Sequence, residues 1–77
     1  MEIKSSKKRL VFDIMVGEQF VATERMPVTM DIINGYDGDR PIYNLGKIRQ
    51  WILQRRPTLK HQEFQIYFDN PQTIVIL

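Results

Sequence analysis

The stretch LVFDIMVGEQFVATERM, residues 10–26, decides how the chain begins to fold. Leu10, Phe12, Ile14 and Val16 alternate with Val11, Asp13 and Met15, the period of a strand buried on one face. Gly17-Glu18-Gln19 interrupts the pattern, and Gly17 tolerates the positive φ of a tight hairpin loop. A second strand over Phe20–Met26 completes a hairpin. A three-residue loop predicts Val16 opposite Phe20, Ile14 opposite Ala22 and Leu10 opposite Met26, with all six on one face. A two-residue Gly-Glu loop would mix the faces, and register follows the face that must be buried.

Working outward, Met1–Lys7 is polar and basic, with nothing to bury, and reads as a disordered tail that ends near Lys8. Pro27 cannot donate a ladder hydrogen bond, so the second strand stops there or lies at an edge. Val28–Ile33 could extend the strand or turn a corner. Asn34-Gly35-Tyr36-Asp37-Gly38-Asp39 is dense in turn residues and predicts a loop running to Pro41.

The next stretch, NLGKIRQWILQRRP (residues 44–57), predicts a helix over Leu45–Arg56. Asn44 is a suitable N-cap, and Leu45, Ile48, Trp51 and Ile52 form one apolar stripe. Pro57 ends it. Three turns are marginal alone, so the stripe must dock on a sheet. Phe64, Ile66 and Phe68 alternate with Gln65 and Tyr67 as a third strand. Asn70-Pro71-Gln72 turns the chain into a fourth over Thr73–Leu77. The expected fold is α+β, in the order ββαββ: two antiparallel hairpins packed with one short helix, in a single domain spanning residues 1–77.

Composition narrows the function classes. With 77 residues, 43% hydrophobic and 26% charged, the chain reads as one ordinary globular domain. It contains no Cys and one His. That removes disulfides and thiolate metal sites and makes a His-based metal site improbable. No apolar run approaches the ~20 residues of a membrane-spanning helix. The basic start is not followed by the apolar segment of a signal peptide. The expectation is therefore a cytoplasmic protein with no metal, no cofactor and no membrane contact.

Catalytic motifs are missing. His61 has no Cys partner and no Ser or Thr in a strained turn beside it. The glycines form no phosphate-binding loop. Aligning Gly38 with the glycine of a calcium loop would place ligands on Ile33 and Gly35, which carry none. Among the aromatics of residues 64–68, Phe64 and Phe68 are needed as core. Only Tyr67 remains for base stacking. The chain is expected not to be an enzyme.

Two surfaces remain. The net charge is only +2, but residues 47–60 carry five cations and no acid. Lys47, Arg49, Arg56 and Lys60 are the candidate contacts for a nucleic acid, each replacing a counterion of its backbone. Against this, Arg55 and Arg56 also suit the negative end of a helix, and the charges are dispersed around it. The second surface is the last strand, which has no charge to guard an edge. Thr73, Val75 and Leu77 are its candidate interface residues, unless the strand lies centrally and is buried on both faces. The favoured function is a non-catalytic binding or adaptor domain acting through a protein partner or its own homodimer. Nucleic-acid binding is the alternative.

Overall fold

A computed structural model describes residues 8–77 of the chain. The expected tail, 1–7, lies outside the described residues. The fold is α+β: the described residues form six strands in two three-stranded sheets, with one helix. In chain order these are β1 (Arg9–Val16), β2 (Gln19–Pro27), β3 (Ile33–Asp37), β4 (Arg40–Asn44), α1 (Leu45–Arg55), β5 (Gln65–Phe68) and β6 (Ile74–Ile76). Short 3-10 turns at Met30–Ile32 and Pro57–His61 bring Ile32 and Leu59 into the core. The first sheet has the order β2-β1-β5, and the second β3-β4-β6.

The β1–β2 hairpin keeps two of the three expected pairs, Leu10 with Met26 and Ile14 with Ala22. The third is corrected. Val16 pairs with Gln19, and Phe20 lies opposite Met15. The loop has two residues, and Gly17 at φ +61° begins it as a type II′ turn requires. The register slip is then absorbed by a bulge, because Val21 has no partner between the two pairs. Leu10, Phe12 and Ile14 thus remain inside, while Phe20 is turned outward and is 59% exposed.

The expected loop at residues 34–41 is instead the second hairpin. β3 and β4 meet at a two-residue Gly38-Asp39 turn, with Gly38 at φ +68°. Asn34 bulges out between the Ile33–Tyr43 and Gly35–Ile42 pairs. The last two strands, expected as neighbours, do not pair with each other. β5 runs antiparallel to β1, with Ile66 opposite Ile14 and Phe68 opposite Phe12. β6 runs parallel to β4, with Val75 beside Tyr43. A parallel pair needs a long crossover. Here α1, the second 3-10 turn and β5 supply it.

The helix starts and stops as its sequence predicts, to within one residue. Asn44 Oδ1 accepts the Lys47 backbone N–H at 3.0 Å. A Cβ on Gly46 would stand 3.2 Å from that oxygen, so glycine there leaves room for the cap. Arg56 is the C-cap, with Pro57 immediately after it. Ile48 and Ile52 are fully buried over the inner face of the first sheet, and Trp51 meets Phe12 edge-on at 6.4 Å. Tyr43 brings the second sheet into the same core.

Candidate functional site

The basic residues of the helix are largely engaged with the protein itself. Arg56 Nε donates to Oε2 of buried Glu24 at 2.7 Å. Arg55 reaches the other Glu24 oxygen at 3.3 Å and lies over the Trp51 ring at 4.8 Å. Arg49 is half-buried, its guanidinium 4.3 Å above the centre of the Phe64 ring. Both stacked cations cover apolar surface with their stems. Lys47, in the first helical turn, and Lys60, in the second 3-10 turn, are exposed. The four cations expected at a nucleic-acid surface therefore divide into two held against protein groups and two free to meet solvent.

The final strand is an edge. β6 pairs with β4 alone among the described residues, and its other side carries no strand. It is positioned by the turn before it. Gln72 donates its N–H to Asn70 Oδ1 at 2.9 Å, and the Thr73 hydroxyl donates to the Asn70 carbonyl at 2.7 Å. Arg40 at the start of β4 binds the Gln72 carbonyl at 2.7 Å, tying this turn to the neighbouring strand. Val75 is half-buried against the core, and Thr73 is half-buried as well. Leu77 is 95% exposed. On the opposite face, the parallel register sets Ile74 beside Ile42 and Ile76 beside Asn44, with Ile76 45% exposed.

The other sheet edges carry features that oppose pairing with another chain. β2 has the Val21 bulge, the exposed Arg25 and a terminal Pro27. β3 has the Asn34 bulge and ends in Asp37. β5 has no bulge or charge within it but is followed directly by Asp69. From Asn70 to Leu77 there is no charged residue at all.

Two further surface features are present, and of their residues only the outward Tyr67 was legible in the sequence. Phe20 and Tyr67, each more than half exposed, stand on the uncovered outer face of the first sheet. In the same cross-strand row as Tyr67, Thr23 donates to Asp13 Oδ1 at 2.6 Å. A cleft of about 480 Å³ separates the start of β1 from β4 and the start of β6. Its rim mixes Lys8, Arg9 and Arg40 with Asp39 and Asp69. That alternation of sign gives it no preference for one ligand charge. Tyr43, at its base, has its hydroxyl pKa raised, first by burial and then by the neighbouring Tyr36.

Among the described residues, no group of three or more His, Cys, Asp or Glu side chains could hold a metal ion. No helix there is long and apolar enough to cross a membrane. Comparison with protein-family models, with curated proteins and with solved structures gave no match.

Proposed function

We propose that the chain is a non-catalytic binding module that engages a protein by strand addition at the open edge of β6. One observation carries this reading: β6 is an uncharged apolar edge, whereas the two longest edges, β2 and β3, are bulged and carry Arg25 or Asp37. In strand addition, main-chain hydrogen bonds supply affinity and alternate side chains supply specificity. Each such bond contributes only about 0.5–1.5 kcal/mol net, so a three-residue edge suits a weak, reversible contact. The absence of cysteine accords with a reducing, cytoplasmic setting.

Nucleic-acid binding has less support, because Arg49 and Arg56 already serve Phe64 and Glu24. The two readings separate in one experiment. Affinity capture from the native cell is run with the wild-type chain, with Ile76→Lys, and with Lys47→Glu combined with Lys60→Glu. Loss of a captured protein from the Ile76→Lys bait alone supports the edge. Loss from the lysine variant alone, with nucleic acid recovered at low salt, overturns it.

A further inference from the structure

We infer that the strand added at β6 is β6 of a second copy of this chain, antiparallel and centred on Val75. The inference rests on reading β6 as a docking edge, and goes further by naming the occupant. A two-fold axis perpendicular to the sheet sets each residue against its own image or against a residue of matching face. Centred on Val75, it places Val75 opposite Val75 of the second copy, Ile74 opposite Ile76, and Thr73 opposite Leu77. Every residue of 73–77 is then paired.

Self-pairing makes demands that this segment meets and the longer edges β2 and β3 do not. Charged groups near a two-fold axis meet their own images, and like charges directly opposite are destabilising. Residues 73–77 carry no charged side chain. An extended ladder also needs a strand without an extra residue, and β6 has none, whereas β2 and β3 are interrupted at Val21 and Asn34.

The side chains gain as well. On one face, Ile42, Ile74 and Ile76 of the two copies become a continuous apolar band, adding to each half the neighbour it lacks. On the other, the exposed Leu77 covers Thr73 of the second copy beside the half-buried Val75 pair. The joined sheet has six strands. The seam is short, well below the ~800 Å² per partner of a standard stable interface. The dimer is therefore weak, and its population depends on concentration.

The absence of cysteine makes the test specific. Residues directly opposite in an antiparallel pair have Cα atoms about 4.5–5.5 Å apart, within the span of a disulfide. Val75→Cys is oxidised mildly beside a control, Glu18→Cys, at the exposed tip of the first hairpin. Wild-type particle mass is followed by sedimentation equilibrium from micromolar to millimolar chain. The mass should rise from one chain to two. The Val75→Cys chain should form a covalent dimer at least about tenfold faster than the control, since a preformed pair makes the step intramolecular. A wild-type chain that stays single throughout overturns the inference, and so does cross-linking no faster than the control. If the chain stays single while Ile76→Lys still loses a captured protein, the docking edge stands and only the identity of its occupant falls.

Discussion

Arg56 and Glu24 form a charged pair that joins the end of the helix to the inner face of the first sheet. Arg56 Nε lies 2.7 Å from Glu24 Oε2, and the Glu24 side chain is only 5% exposed. Breaking a buried pair from one side costs far more than replacing both partners, because it strands a charge. Here Arg55 remains at the second oxygen and the arginines reach solvent, which moderates the loss. Arg56→Ala is expected to destabilise the fold by about 2 kcal/mol, below the full penalty of a stranded buried charge. Glu24→Leu combined with Arg56→Ala should recover most of that loss. Urea midpoints of the single and double variants check the cycle.

The bulge at Val21 has a direct consequence for Phe20. As a core residue it would cost about 3–5 kcal/mol when cut to alanine. On the outer face, Phe20→Ala is expected to change stability by less than about 1 kcal/mol. Phe12→Ala, on the inner face of the partner strand, should show the full core penalty. Thermal unfolding of the two variants, side by side, distinguishes the bulged register from the unbulged one.

Tyr43 gives the stability an alkaline limit. Its pKa is raised in the folded state by burial and by Tyr36. The native protein therefore holds this proton at pH values where the unfolded chain releases it. The contribution is fully present below the ordinary tyrosine value of about 10 and is lost as pH rises through the higher folded value. Between pH 9 and pH 11 the wild-type urea midpoint should fall. In Tyr43→Phe that fall should be smaller.

The helix cap supports the second sheet as well as the helix. Asn44 accepts the Lys47 N–H through its oxygen and donates to Asn34 Oδ1 through its amide at 3.3 Å. Asn44→Ala should cost about 1 kcal/mol through the lost cap. Asn44→Asp keeps the capping oxygen and loses the donor to Asn34, so its loss should be smaller. Circular dichroism during urea unfolding reads both.

These elements differ in how far the sequence could reveal them. The helix was legible because Asn44 and Pro57 act locally, whatever surrounds them. The Leu10–Met26 and Ile14–Ala22 pairs were legible because alternation alone fixes which face is buried. The bulge at Val21 was not, since no residue there announces an unpaired position. β3 and β4 were hidden by glycines, asparagine and aspartates that individually favour turns. Only pairing across Gly38-Asp39 makes Ile33, Ile42 and Tyr43 a sheet.

The candidate edge was half legible. The uncharged run to Leu77 is plain in the sequence, but its position at an edge depends on long-range pairing with β4. The arginines were misleading for the opposite reason. Their count is local, while the partners that hold Arg49 and Arg56, Phe64 and Glu24, lie far from them in the sequence.

Hydrogen exchange at the amides of residues 74–76, followed from dilute to concentrated protein, tests the open edge most directly. Amides that point away from β4 should exchange rapidly when dilute and become protected as concentration rises, while those of β2 and β3 stay unchanged. Exchange at 74–76 that is slow at every concentration would mean the edge is already closed. Rapid exchange at every concentration would mean that no second copy pairs there.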